Sequence, residues 1–524
     1  MGTENNIYDV FVIGGGVNGC GIARDAAGRG LRVALAEQGD LGSGTSSAST
    51  KLFHGGLRYL EYFEVRLVRE ALKEREVLLN NMPHISWPMR FVLPLHKDMR
   101  FEADTPSSKL LSLFMPWLKG RRPAWLIRLG LFLYDNMGGR KLLPATSAIS
   151  LKDTPEGAPL QDKYARAFEY SDGWVNDARL VALNARSAAD LGADIKTRCK
   201  VVSAKREGGL WQITTDTGEN LTARTLVNAA GPWVGAVLDG AVETHMKGKI
   251  RLVRGSHIVT RKLFEHDKSY FFQGSDGRII FAIPYEQDFT LIGTTDAEHG
   301  APDEPAVCTQ AEQQYLLDFA NQYFATPVNA DDIVWTYSGV RPLQDDGQSS
   351  ASAATRDYEL RLEEGEAPLL TVFGGKITTY RKLSEAACDM LGGFFPNSTG
   401  PWTRTQALPG GDFAFDGFEA EVAKLTSAFP FVEGSLASRL VRAYGTDAAH
   451  MLKGASHLQD LGDDFGAGLT AREVDWLCQH EFARTADDIL WRRSKLGLRL
   501  DAAQVSALEA YLATRQAVAK EGEK

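Results

Sequence analysis

Three glycines at a fixed spacing carry the first recognisable chemistry. In Gly14-Gly15-Gly16-Val17-Asn18-Gly19 the order is G-x-G-x-x-G, directly after the apolar, β-branched run from Tyr8 to Ile13. Gly14 permits a tight turn, Gly16 lets the backbone approach a pyrophosphate, and Gly19 lets helix and strand pack closely. The N–H groups and partial positive charge at the start of the following helix suit the phosphates. Glu37, roughly twenty residues beyond the glycines, can accept both hydroxyls of an adenosine ribose and would repel a 2′-phosphate. A purely structural glycine turn leaves that carboxylate unexplained, so the pattern is read as a dinucleotide site. Other chemistries lack their residues. The ten histidines show no HxxxH or HExxH spacing, the five cysteines form no CxxC, and there is no GxSxG elbow. The expectation is no metal centre and no hydrolase.

The elements that must position these residues are legible around them. A helix over about Asn18 to Gly28 buries Ile22, Ala23, Ala26 and Ala27 and stops at Gly28-Arg29-Gly30. A second strand, Leu31 to Ala36, then delivers Glu37. Two further glycine junctions follow strands: Leu226-Val227-Asn228-Ala229-Ala230-Gly231-Pro232-Trp233, and Phe373-Gly374-Gly375-Lys376-Ile377-Thr378. After Glu37 comes a small, hydroxyl-rich stretch with Thr45, Ser46, Ser47, Ser49, His54 and Gly55, which composition alone would make a flexible linker. Three separated junctions and that stretch fit one large cofactor lying across a discontinuous domain. The reading is therefore FAD rather than NAD.

Composition bounds the remaining classes. The chain has 524 residues and a net charge of −9, which argues against a nucleic-acid partner and allows two or three domains. Scattered cysteines fit a reducing compartment. The opening MGTENNIYDVFVIGGG has no basic region and no separate apolar region, so no secretory signal is expected, and no apolar run is long enough to span a bilayer.

The chain resembles the FAD-dependent, aerobic, quinone-linked glycerol-3-phosphate dehydrogenases of the D-amino-acid-oxidase-like superfamily. The marks are VIGGGVNGCGIARDAAGRGL at 12–31, TSSASTKLFHGGLRYLE at 45–61, EYSDGWVNDARL at 169–180, VNAAGPWV at 227–234, RGSHIV at 254–259, WTYSGVRPL at 335–343, TRDYEL at 355–360 and FGGKITTYRKL at 373–383. The resemblance implies oxidation of sn-glycerol 3-phosphate to dihydroxyacetone phosphate, with electrons passed from FAD to membrane quinone. An oxidase that hands them to oxygen is the enzymatic alternative, and a non-catalytic FAD scaffold is the alternative of another class.

Oxidising a phosphorylated alcohol needs cations for the dianion and a base for the hydroxyl proton. Arg58, Tyr59, Arg341 and Arg356, inside the matching motifs, are the expected phosphate ligands. His257, Lys376 and Arg341 are the expected catalytic set, with His257 as candidate base and His54 nearer the cofactor. Gly14, Gly16, Gly19, Glu37, the hydroxyl stretch, Gly231, Gly374, Gly375 and Thr378 are expected to hold FAD.

The expected fold is α/β: a discontinuous Rossmann-like FAD-binding domain from 1–95, 165–235 and 335–395, a mixed-sheet substrate and membrane-facing domain from 96–164 and 236–334, and a helical C-terminal domain over 412–524. Residues 109–125, where Leu110, Phe114 and Trp117 lie between Lys109 and Arg121-Arg122, suit docking on an anionic membrane surface. Residues 126–134 read better as a core helix. Thr470-Ala471-Arg472-Glu473 reads as a capping box. A cytoplasmic enzyme attached peripherally to the inner face of the cell membrane follows, and a homodimer is compatible with it.

Overall fold

The computed structural model describes residues 7–97, 99–100, 105–107, 113, 121–248, 250–274, 277–344 and 357–522. Strand Ile7–Ile13 reads IYDVFVI, with Val10, Phe11 and Val12 fully buried, as a strand covered on both faces requires. The chain turns through the glycines into helix Val17–Gly28 and returns as strand Val33–Glu37, parallel to the first with Val10 opposite Val33. The buried Ala23 and Ala26 keep that helix slim where it packs against helices Asp177–Asp190 and Tyr380–Leu391.

On its other side Ile7–Ile13 pairs in parallel with Asn220–Asn228, which pairs in parallel with Leu369–Phe373. Glu359–Glu363 closes that edge and Asp194–Thr197 the opposite one. The carboxyl ends of three neighbouring strands, at Ile13, Asn228 and Phe373, therefore open onto the three glycine junctions. Ligands of open α/β sheets bind at such strand ends.

A second, mixed sheet lies beside the first. Its spine is Ile250–Arg261, Phe289–Gly293, Ile279–Tyr285, Ser269–Gln273, Ser86–Pro94 and Arg166–Val175, with Ile333–Gln344 paired antiparallel to Ile250–Arg261. Residues 418–522 pack helices around their own core, including Leu440, Val441, Val474, Leu477 and Ile489. This is the expected α/β fold with a mixed second sheet and a helical C-terminal region.

Several details differ from the sequence reading. Ser86–Pro94, Arg166–Val175 and Ile333–Gln344 belong to the second sheet, although the glycine junctions had grouped them with the cofactor pieces. A junction marks where a strand ends; it does not tell which sheet the preceding residues joined. Where the sequence suggests two strands, Ile250 to Val253 and His257 to Val259, Ile250–Arg261 is one continuous strand, because Gly255-Ser256 stays extended between two neighbours. Thr470 occupies the N-cap but its hydroxyl makes no capping bond; the buried Glu473 pairs instead with the partly exposed Arg439 at 2.7 Å. Residues 126–134 lie in helix Ala124–Met137, which is not a core helix all round. It buries Leu131 and Tyr134 but leaves Trp125, Leu129, Phe132 and Leu133 between 46% and 55% exposed. Phe114 and Trp117 lie outside the described residues.

Candidate active site

A cavity of about 720 Å³ runs along the strand ends, from Glu37 and Cys199 to His257, Arg341 and Lys376. At the first end, Gly14 takes φ +110°, and a Cβ there would lie 2.6 Å from Ala229 O. A Cβ on Gly19 would lie 1.9 Å from Gly14 O, so helix and strand touch through bare backbone. Gly16 lines the cavity, and Val17 N donates to Ser46 Oγ at 3.0 Å, folding the hydroxyl stretch over the helix start.

The Glu37 carboxylate accepts from Gly15 N at 2.6 Å and Gly39 N at 2.7 Å. Burial raises its pKa and these two bonds oppose the rise. Each oxygen keeps a lone pair for a ribose hydroxyl. Asn18, between the glycines, donates to Gly374 O at 3.1 Å, while its Oδ1 is buried with no hydrogen bond within the chain. An elongated cradle with a positive helix end, a fixed carboxylate and an orphaned buried amide oxygen fits FAD.

At the other end, His257 is buried and lies opposite Gly293 and Tyr337 in the second sheet. Its Nε2 is 3.0 Å from Thr50 Oγ1, and its Nδ1 is buried without a hydrogen bond. Burial, then the charges of Arg341 and Lys51, hold the imidazole well below its usual pKa, so the ring is neutral. Arg341 NH2 donates to Thr294 Oγ1 at 2.9 Å and NH1 pairs with Asp296, which fixes the guanidinium plane. A Cβ at Gly255 would lie 2.2 Å from Arg341 NH2, so glycine makes room for that arginine. Lys376 Nζ stands 3.9 Å from the centre of the Tyr59 ring, and Arg58 and Tyr59 line the same wall in the short turn Leu57–Tyr62. Arg58, Lys376 and Arg341 thus line the same cavity as the neutral His257 imidazole.

Among the residues named from sequence, Thr45, Ser46, Ser49, His54, Gly231, Gly374, Gly375 and Thr378 also line the cavity. The Thr378 hydroxyl accepts from His54 N at 3.3 Å, and Ser49 donates to Asp177 at 2.7 Å. Gly19, Ser47 and Gly55 do not line it. Gly19 serves the helix contact. Ser47 gives its carbonyl to Lys51 Nζ at 3.1 Å, and Gly55 packs on Leu72 and donates to Tyr134 OH at 2.7 Å. Arg356 lies outside the described residues.

The sequence reading missed Asn18, Arg278, Trp233, Thr294 and Asp296, all on the cavity wall. It also missed Asp172, whose carboxyl burial pushes up to about 6 despite Arg75 and Tyr134 at its side. Asn18 stands inside the glycine motif and was recoverable; Arg278 has no motif to announce it. Among the described residues no group of His, Cys, Asp or Glu is placed to hold a metal ion, and no helix is long and apolar enough to cross a membrane.

Comparison with known proteins agrees with this geometry. A family model for FAD dependent oxidoreductases matches residues 9–381, and one for the C-terminal domain of alpha-glycerophosphate oxidase matches 401–520. The chain is 49% identical over 510 residues to a D-erythritol 1-phosphate dehydrogenase of Brucella abortus, covering 96% of this chain and 97% of that one. It is 48% identical over 512 residues to a glycerol-3-phosphate dehydrogenase of Pseudomonas aeruginosa, covering 97% and 95%. A crystal structure of a glycerol-3-phosphate dehydrogenase from Bacillus halodurans complexed with FAD superposes with TM-score 0.68 at 26% identity, over 94% of this chain and 86% of that one.

Proposed function

We propose that this chain, which belongs to the family of FAD-dependent oxidoreductases with the alpha-glycerophosphate oxidase C-terminal domain, oxidises sn-glycerol 3-phosphate to dihydroxyacetone phosphate and passes the electrons to membrane quinone. The observation that carries it is that Arg58, Arg341 and Lys376 line the dinucleotide cavity together with the neutral His257. Bound FAD supplies the two-electron acceptor. Arg341, oriented by Asp296 and Thr294, donates to the phosphate as a planar fork, and Arg58 and Lys376 add charge to the dianion. His257, whose neutral imidazole sits in the cavity wall beside Thr50, is the candidate base for the hydroxyl proton.

A second reading concerns the substrate alone. The similarity to a D-erythritol 1-phosphate dehydrogenase is as high as that to the glycerol-3-phosphate enzymes, so a four-carbon polyol phosphate is the alternative. Steady-state kcat/KM for the two phosphates and for unphosphorylated glycerol decides between them. Glycerol 3-phosphate is expected to be preferred, and glycerol should be turned over poorly. Peroxide formed in step with substrate consumption would instead assign an oxidase.

For the acceptor, the exposed apolar face of helix Ala124–Met137, with Arg121 and Arg128 nearby, supports docking on an anionic membrane surface where quinone resides. The enzyme then works attached to the inner face of the cell membrane.

A further inference from the structure

The C-terminal helical region sends one short turn, Asp488–Arg493, back to the cofactor domain. This is a π-helical turn, a geometry that recurs at functional sites. Arg492 and Arg493 both bind Asp40, with N–O distances of 2.6 Å for each, and Asp488 binds Arg198 at 2.7 Å and Arg492 at 2.7 Å. Asp40, Asp488 and Arg493 are almost wholly buried.

The two residues gripped from the cofactor side belong to the loops that make the ribose end of the cavity. Asp40 lies between Glu37 and the lining residues Gly42 and Ser43. Arg198 precedes the lining residues Cys199 and Lys200 and holds φ +54°, a conformation L residues rarely adopt without support. The loops are also tied to each other. Arg198 N donates to Gly39 O at 2.8 Å and Cys199 N to Glu37 O at 2.8 Å. Moving Arg198 therefore moves the backbone that carries the Glu37 carboxylate.

We infer that the Asp488–Arg493 turn is a cofactor clamp, through which the C-terminal region holds the Asp40 and Arg198 loops in the shape that binds the adenosine half of FAD. These are positioning residues, since none of Asp40, Arg198, Asp488, Arg492 and Arg493 lines the cavity. The inference rests on reading that cavity as the FAD site. It also gives the C-terminal region a task its helical pattern does not announce.

The test is FAD binding to full-length apoprotein, followed by flavin fluorescence. Arg198→Ala, on the partly exposed loop side, is expected to raise the FAD Kd by about tenfold or more, through loss of the Arg198–Asp488 ion pair, with KM for glycerol 3-phosphate unchanged at saturating FAD. Asp40→Asn should do the same from the other loop, and Arg198→Lys should recover part of the affinity. Arg439→Met breaks the Arg439–Glu473 pair within the C-terminal helices and should lower Tm while leaving the FAD Kd at the wild-type value. Unchanged Kd in both Arg198→Ala and Asp40→Asn would overturn the clamp. An equal rise in Arg439→Met would overturn it too, since general loosening would then be the cause. Wild-type apoprotein that takes up no FAD would overturn the cofactor reading itself.

Discussion

The imidazole of His257 lies flat against the phenol ring of Tyr337, centroids 4.7 Å apart and planes inclined by 13°. The column continues through Trp335 at 4.9 Å to Trp491 of the C-terminal region at 4.6 Å. Tyr337 OH donates to Ser49 O at 2.8 Å, so the ring that supports the candidate base is pinned to the hydroxyl stretch over the cofactor cradle.

His257 is held well below its usual 6.5, first by burial and then by Arg341 and Lys51. A base works in its deprotonated form, so activity falls only as pH drops through its lowered pKa. The kcat profile of the wild type, read at saturating substrate so that ionisation of the free substrate phosphate does not enter, should therefore stay level on the acid side through pH 6.5. Lys51→Met removes a repelling charge and should move the acid limb upward, toward neutrality. An unmoved limb, or one that persists in His257→Gln, would assign the base elsewhere.

Arg341→Ala should raise KM for glycerol 3-phosphate by on the order of tenfold to a thousandfold, since each charge-assisted hydrogen bond is worth about 1.5–3 kcal/mol. Glycerol should be little affected. Asp296→Asn, which loosens the guanidinium without removing it, is expected to give a smaller rise in the same direction. Equal losses on both substrates would place Arg341 in the scaffold or at the cofactor.

The glycines separate cofactor binding from folding. A Cβ at Gly16 would meet only Ser46 Oγ, at 3.2 Å, whereas one at Gly19 would meet backbone at 1.9 Å. Gly16→Val should fold as pale protein with low FAD content, and Gly19→Val should fail to accumulate folded. Glu37→Ala should also be pale. Full yellow occupancy in Gly16→Val would show that the helix start does not receive the pyrophosphate.

How much of this was legible beforehand follows from the range of each signal. The βαβ unit could be read because its spacing is local: the turn at Gly14 and the carboxylate at Glu37 lie within one supersecondary unit. His257, Arg341 and Lys376 could be named only through motifs; the meeting of the first two required the pairing of Ile250–Arg261 with Ile333–Gln344 across about eighty residues of sequence, and Lys376 joins them from the end of Leu369–Phe373 in the other sheet. Sheet membership was misread at Ser86–Pro94 and Arg166–Val175, since a buried strand looks alike in either sheet. Gly55 and Ser47 were misplaced because composition gives the character of a loop and not the direction each residue faces. The clamp was invisible, because Asp40 and Arg493 are 453 residues apart along the chain.

Exposed apolar side chains on helix Ala124–Met137 give the membrane prediction a described surface. Trp125→Asp with Phe132→Asp should release the protein from anionic vesicles and lower quinone turnover, while FAD content and activity with a soluble dye persist. Insoluble or flavin-free protein would instead make this face part of the core.

The most direct measurement is anaerobic titration of the purified holoenzyme, recording the flavin absorbance. Stoichiometric bleaching by glycerol 3-phosphate, with none by unphosphorylated glycerol at the same concentration, is the predicted result. Flavin that stays oxidised with every polyol phosphate offered would contradict the assignment of this cavity to polyol phosphate oxidation.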